Sequence, residues 1–341
     1  MRIAVLTGGG DAPGLNAAIR AVARAAWQEG YDPIGVRNGW VGLVNNEVIP
    51  LSPDLISGIL PRGGTILGTS RTNPFKSEDG PPRMLDTLRT HEIDAIVAIG
   101  GDDTLGVALK LSRMGVHVVG IPKTMDNDIP GTDYTIGFDT AVGVVMDACD
   151  KLHPTAEAHH RVMVVEVMGR DAGWVAAVGG LAGGADIILV PEVAFTIDEV
   201  CERVRGRHGR GRTFSIVVVS EGAKVAELGT QIVQEARVDA FGHVRLGGIG
   251  AVLAREIEAR TGYECRVTVL GHLQRGGSPS VFDRVLATRF GVAAVQLIKQ
   301  ERFGHMVALQ GNRIVAVPLE EALAGSHPLD VELYRIASLF T

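Results

Sequence analysis

The sequence predicts an α/β protein whose parallel sheets are wound with helices on both faces. Short apolar runs without polar alternation recur at Ile3–Leu6, Ala95–Ile99, His117–Ile121, Val162–Val167, Ile187–Val190, Ile216–Val219 and Val267–Leu270. Runs of this kind suit strands buried on both faces of a parallel sheet. Each run is followed by glycine or a polar turn and then by a helical pattern, and that alternation gives the doubly wound architecture. Five runs also end in residues able to do chemistry: Gly8-Gly9-Gly10-Asp11, Gly100-Gly101-Asp102-Asp103, Pro122-Lys123-Thr124, Met168-Gly169-Arg170 and Ser220-Glu221. Open α/β sheets bind ligands beyond the carboxyl ends of their strands, so these five endings predict one lined cleft.

Size and composition bound what the chain can be. Its 341 residues suit about two domains at roughly 150 residues each. With 46% hydrophobic and 21% charged residues the chain is globular in composition, which excludes disorder. A net charge of −6 argues against a general nucleic-acid binder but leaves room for a local basic site. The cysteines Cys149, Cys201 and Cys265 are widely spaced, which fits a reducing compartment and no structural zinc. The run Ile3–Leu6 is too short for a secretory leader, and no apolar stretch is long enough to span a bilayer. A cytoplasmic protein without membrane attachment is expected. Glycine is the outlier, at 44 residues. That is about one in eight, against an ordinary ~7%. Its clustering predicts tight turns and phosphate loops.

The first loop, Thr7 to Asn16, leaves a strand and enters the helical pattern Ala17–Trp27. Glycines at that junction let backbone N–H groups approach an anion at a helix N-terminus. It is no P-loop, because Gly-Lys-Ser/Thr is missing, and Pro13 replaces the third glycine of a dinucleotide fingerprint. An ordinary βα turn is the competing explanation. In the second loop, Ile99 to Leu105, Asp102 and Asp103 stand side by side among glycines. Two such carboxylates need a cation or a large pKa shift, and magnesium shared with substrate phosphates is the natural partner. Capping of the next helix by Asp103 or Thr104 competes with that. The third loop, Pro122 to Pro130, packs Lys123, Thr124, Asp126, Asn127 and Asp128 behind a buried strand. That density favours catalysis over turn-making. Asp126 can take a proton from an alcohol, and Lys123 can hold phosphate charge. The run Arg203–Arg212 is expected to be a solvated basic loop, with an anion site as the alternative.

These three loops, in this order, resemble the 6-phosphofructokinase family. The likeness extends to Gly63–Arg71, Val165–Arg170 and Leu270–Gly277 and covers the chain from Met1 to about residue 300. It implies two similar Rossmann-like domains, the first built from residues 1–137 and 250–302, the second from 138–249 and 303–341. The active site would lie in the cleft between them. By resemblance, Asp126 is the general base acting on the 1-hydroxyl of fructose 6-phosphate, and Thr124 and Asp128 complete its loop. Asp102 is the magnesium acid. Gly10, Arg71, Asp103, Thr104 and Lys123 face the phosphoryl donor, and Arg170 serves the reacting phosphate. Met168, Gly169 and Glu221 face the sugar. Arg161, Arg266, His272 and Arg275 clamp its 6-phosphate, with Arg161 and Arg266 supplied by a neighbouring subunit. A homodimer or homotetramer is therefore implied.

Two departures are informative. ATP-using members carry glycine where this chain has Asp103, and usually glycine where it has Lys123. The pair resembles the branch that uses pyrophosphate reversibly, and Asp103 discriminates. At the family's effector site Arg20, Arg24, Arg210 and Arg212 are present, whereas Pro53 and His153 replace expected arginines. The rivals are the ATP-dependent kinase, a non-catalytic sugar-phosphate-binding subunit, and a dinucleotide-binding oxidoreductase. Asp102, Asp126 and Arg170 argue against the second, and Pro13 against the third.

Overall fold

The computed structural model describes residues 1–226, 233–238 and 244–339. Residues 227–232, 239–243 and 340–341, which fall in the expected second domain, lie outside the described residues. The strands are β1 (Arg2–Thr7), β2 (Asp32–Val36), β3 (Val48–Pro50), β4 (Ala95–Gly100), β5 (Val118–Pro122), β6 (Val162–Val167) and β7 (Ile187–Leu189). They continue with β8 (Ser215–Ser220), β9 (Val233–Val238), β10 (Val244–Leu246), β11 (Cys265–Val269), β12 (His305–Gln310) and β13 (Arg313–Pro318). The helices are α1 (Leu15–Gln28), α2 (Trp40–Val44), α3 (Gly80–Thr90), α4 (Asp102–Arg113), α5 (Phe138–His159) and α6 (Trp174–Ala182). After them come α7 (Ile197–Gly209), α8 (Ile249–Thr261), α9 (Val281–Lys299), α10 (Leu319–Ala322) and α11 (Val331–Ser338).

Two larger sheets organise the molecule. The first runs β13-β12-β5-β4-β1-β2-β3, and the second runs β11-β6-β8-β7. The second is parallel throughout, whereas the first is parallel except for β3 and β13 at its edges. Successive side chains of a strand point to opposite faces, so each apolar run feeds two cores. On the first sheet, Ile3, Val5, Val97 and Val119 meet Leu15, Ile19 and Phe290 of α1 and α9. Ala4, Leu6, Ile96 and Val118 meet Trp40, Met84 and Leu105 on the other face. On the second sheet, Val165 and Val218 face α5 and α6, and Val164 and Val217 face α7 and α8. Each sheet is thus covered on both sides, as the apolar runs predicted.

The expected domain limits need correction. Helix α8 caps its start on the second sheet, because Glu166 of β6 accepts the N–H groups of Gly248 and Gly250 at 3.0 and 2.8 Å. Strand β11 then pairs with β6. The chain returns to the first unit between β11 and α9, some twenty residues later than the limit expected at 250. It then stays there, since β12 pairs in parallel with β5 and β13 pairs with β12. Residues 303–322 therefore belong to the first unit, and α11 alone of the last elements packs on the second, through Ala337. The apolar pattern identified strands but carried no mark of which sheet each joins.

Two local expectations also shift. The last of the expected strands, β11, begins at Cys265 and not Val267, because it is an edge strand whose Arg266, Val267 and Val269 are exposed. The basic run is not a loop over most of its length. Arg203–Gly209 forms the last turns of α7, and Arg207 pairs with the mostly buried Asp186 at 2.6 Å.

One carboxylate joins the two units. Asp283, fully buried in the first turn of α9, accepts hydrogen bonds from the N–H groups of Gly137 and Thr140 and from the Thr140 hydroxyl. Those groups form the start of α5, the helix that leads into the second unit. Burial pushes the Asp283 carboxyl up to about 6, and these hydrogen bonds oppose the shift. No described helix is long and apolar enough to cross a membrane.

Candidate active site

The carboxyl ends of β1, β4 and β5 meet the ends of β6 and β8 across one cleft of about 160 Å³. On the first side, Gly8 donates to the Ile99 carbonyl at 2.9 Å and Lys123 N–H donates to the Gly100 carbonyl at 3.0 Å. Thr104 is buried against both glycine turns. A Cβ at Gly8 or at Gly100 would lie 2.5 Å from its hydroxyl. Helix α4 starts at Asp102 and its N-cap is Gly101, with no side-chain cap, so Asp103 and Thr104 do not cap it. Asp102 and Asp103 instead stand in its first turn and line the cleft.

The third loop is held by its own polar residues. Asn127 sits at a left-handed φ of 53°. Its side chain accepts the Thr135 N–H at 2.9 Å and donates to the Asp133 carbonyl at 3.0 Å. Thr124 accepts the Asp126 N–H at 3.1 Å, and its carbonyl accepts the Thr135 hydroxyl at 2.6 Å. These bonds present Asp126 and Asp128 to the cleft. The Asp126 Oδ1 is buried and has no hydrogen-bond partner among the described residues. An orphaned carboxylate oxygen at the floor of a cleft is built to meet a donor from a ligand.

On the opposite side, the loops after β6 and β8 interlock. Gly222 N–H donates to the Gly169 carbonyl at 3.0 Å, and the Ser220 hydroxyl donates to the same oxygen at 2.6 Å. A Cβ at Gly222 would lie 1.8 Å from the Arg170 carbonyl, so only glycine fits there. Gly169 lies under the lining at φ 136°, and the loop aims Met168, Arg170 and Glu221 into the cleft. Gln274 accepts the Met168 N–H at 2.8 Å.

The cleft gathers charges of both signs under partial burial. Lys123 is buried and donates to the Gly10 carbonyl. Burial, then the nearby Arg275 and Arg71 charges, lower it to about 8. Burial raises Asp126, against Arg275, Arg170 and Lys123. Asp128 is held at about 7 by burial and by the charges of Asp126 and Asp102. Glu221 is likewise held at about 7 by burial, with Asp126 and Glu166 adding to it. Two arginines close enough to depress Lys123 beside a glycine turn make a site for an anion.

The expected 6-phosphate clamp is not assembled in one chain. Arg161 and Arg266 both pair with Glu264 at the edge of the second sheet, the former at 2.9 Å. His272 is exposed, and none of these three lines the cleft. Arg275 does line it, beside the first loop, where its guanidinium covers Gly10 and donates to the Asp11 carbonyl at 3.0 Å. A larger groove of about 550 Å³ between α9 and the β12–β13 hairpin has no carboxylate in its lining and offers none of this chemistry.

Residues 2–298 match the phosphofructokinase family. The chain belongs to that family. A pyrophosphate–fructose 6-phosphate 1-phosphotransferase of Streptomyces coelicolor is 54% identical over 342 residues, covering all of this chain and 99% of that relative. An ATP-dependent 6-phosphofructokinase of Corynebacterium efficiens is 50% identical over 339 residues, covering 99% of this chain and 98% of that one. The solved phosphofructokinase of Saccharomyces cerevisiae superposes with a TM-score of 0.82 at 32% identity. It covers 95% of this chain, which spans only 45% of the yeast chain.

Within this phosphofructokinase scaffold, sequence reasoning missed several contributors. Asp171 joins the lining, and Gln274 supports Met168 from beneath. His327 braces the third loop from a segment far along the chain, and Trp174 of α6 holds the His327 carbonyl. Only Gln274 lay in a quoted motif, so only it had a signal to follow. The wedge between the glycine turns yields a first prediction. Gly8→Ala should cost ~1–3 kcal/mol by overpacking against Thr104. Adding Thr104→Ala should recover most of that, because the nearest remaining atom would be the Cβ at 3.2 Å. Urea midpoints of the two single variants and the double variant decide it, and simple additivity of the losses would refute the contact.

Proposed function

We propose that this phosphofructokinase transfers one phosphoryl group from pyrophosphate to the 1-hydroxyl of fructose 6-phosphate. The products are fructose 1,6-bisphosphate and orthophosphate, and the reaction runs in both directions. The observation that carries this is the meeting, in one cleft, of a buried carboxylate with an unpartnered oxygen and a cation-ringed glycine turn. Asp126 accepts the hydroxyl proton while the 1-oxygen attacks the distal phosphorus. The bridging P–O bond breaks and its electron pair leaves on orthophosphate. Phosphoryl transfer asks the protein mainly for positioning and for positive charge around the equatorial oxygens. Lys123, Arg71 and Arg170 are assigned that charge, Gly10 the close backbone approach, and Thr104 the packing behind it. Met168, Gly169, Glu221, Thr124 and Asp128 are assigned to the sugar side.

Magnesium is the implied metal, and the donor set suits it. Asp102 offers a hard carboxylate oxygen to it from the first turn of α4. Among the described residues no cluster of three or more metal-ligating side chains occurs. That suits an ion which keeps several waters and shares substrate phosphates. Bound with the donor, magnesium would offset phosphate charge during transfer.

The incomplete clamp supports an assembly with a shared site. Arg266 lies on the exposed edge strand β11 beside Val267 and Val269, and Arg161, just before β6, meets it at Glu264; we assign both to the 6-phosphate of a neighbouring subunit's site. His272 and Arg275 would serve their own. A homodimer or homotetramer in the cytoplasm is the proposed form.

Three outcomes test these assignments. Asp126→Asn keeps size and hydrogen bonding but cannot take the proton, so kcat should fall by about 10²–10⁴ with little change in KM. Retention of more than about a tenth of kcat would remove Asp126 as the base. Arg161→Ala mixed with Arg275→Ala should regain activity once subunits exchange, because one hybrid site then carries both arginines. No recovery after verified exchange would place Arg161 outside a shared site. The donor test rests on Asp103, whose carboxylate would face the α-phosphate of a nucleotide. Like charges at ~4 Å and an effective dielectric of ~20 repel by about 4 kcal/mol, on the order of a thousandfold in preference. Wild type should therefore favour pyrophosphate over ATP in kcat/KM, and Asp103→Gly should relax that preference. Lys123→Gly should weaken pyrophosphate use without creating good ATP use. Equal use of both donors by wild type would hand the cleft to the ATP-dependent reaction named for the Corynebacterium relative.

A further inference from the structure

The segment between α10 and α11 belongs to neither sheet, yet it touches the third loop and the sugar-side loop together. His327 N–H donates to the Asp128 carbonyl at 2.8 Å, and its Nδ1–H donates to the Asn127 carbonyl at 3.0 Å. A carbonyl can only accept, so the Nδ1 position carries the proton in this bond. The His327 carbonyl in turn accepts the Trp174 indole N–H at 3.0 Å, and the two rings lie 5.0 Å apart. Two residues on, Leu329 N–H donates to Glu192 at 3.0 Å, and the same carboxylate accepts the Gly173 N–H at 2.9 Å. Trp174 opens α6, four residues after Arg170.

One residue thus holds two consecutive carbonyls of the loop that carries Asp126, and it anchors them to the loop that carries Arg170. The need for such a brace is visible in Asn127, a non-glycine residue with left-handed backbone that must be held there by its surroundings. Its side chain is fixed by Thr135 and Asp133 from one side. Its carbonyl is fixed by His327 from the other.

We propose that His327 is a positioning residue for phosphoryl transfer, setting Asp126 against Arg170 by gripping the Asn127 and Asp128 carbonyls and the Trp174 indole at once. The proposal rests on the assignment of Asp126 as the base. It concerns alignment at the transition state, where a small displacement costs rate without costing binding.

The test compares His327→Ala, which removes the Nδ1 donor, with His327→Asn, whose amide N–H reaches about as far. The alanine variant should lose about tenfold in kcat with both KM values within about threefold of wild type. The asparagine variant should recover to within about threefold of wild-type kcat. Trp174→Phe, which keeps a ring but loses the indole donor, should combine with His327→Ala to less than the product of the two losses. The proposal falls if the alanine variant keeps more than half of wild-type kcat. It falls equally if asparagine is as slow as alanine, if the loss appears in KM or follows a lowered melting temperature, or if the double variant is fully multiplicative. Asp126→Asn assayed in parallel separates the two layers of argument. Its loss of activity with a fast His327→Ala overturns this inference alone, whereas its retained activity overturns the base assignment and this inference with it.

Discussion

The cleft depends on how closely the ends of three parallel strands approach one another. Thr104 is wedged between the turns after β1 and β4, at a distance that admits no side chain on Gly8 or Gly100. The Lys123 N–H ties the end of β5 to the same place. With those turns drawn together, glycine backbone forms part of the cleft wall. Longer side chains then have to enter from the rim or from the other sheet. Arg170 comes from beyond β6 and Arg275 from the segment before α9. The glycine excess is thus a packing requirement before it is a functional one.

Charge in the cleft has the same economy. Lys123, Asp126, Asp128 and Glu221 are each pushed toward neutrality by desolvation. Together they hold one another in a poised state: Lys123 sits near 8, and Asp128 and Glu221 sit near 7. A doubly charged anion beside Lys123 and a cation beside Asp102 would each relieve a repulsion already present. The protein meets much of the electrostatic cost of gathering these groups in folding, before any ligand arrives.

Much of this was legible in the sequence, for reasons tied to particular residues. Buried parallel strands announce themselves because both faces are apolar, as in Ala95–Ile99 and Ile216–Val219. Strands with mixed faces do not. Pro33 and Gly35 disguise β2, and β13 is only half-buried. The loops that carry the cleft were visible as dense polar endings, and the structure brings Asp102, Asp103, Lys123, Asp126, Arg170 and Glu221 to one place. What stayed hidden was support from afar. Nothing local to His327 or Asp283 shows that the first braces a loop two hundred residues earlier or that the second caps α5. Sheet membership was hidden for the same reason, so the return of the chain was placed too early.

That late return has a consequence for how the molecule can be made. Strand β12 fills the place beside β5, but it leaves the ribosome more than 180 residues after its neighbour. Helix α9, which covers one face of the first sheet, also emerges after the second sheet is complete. During synthesis the first unit therefore waits with an open sheet edge and one apolar face only partly covered, by α1 without α9. The second unit, by contrast, has all its strands and most of its helices in one unbroken stretch. Domains generally fold as units while the chain is being made. The segment synthesised in the middle is the one able to fold first, and the beginning of the chain is held unfinished until its end arrives.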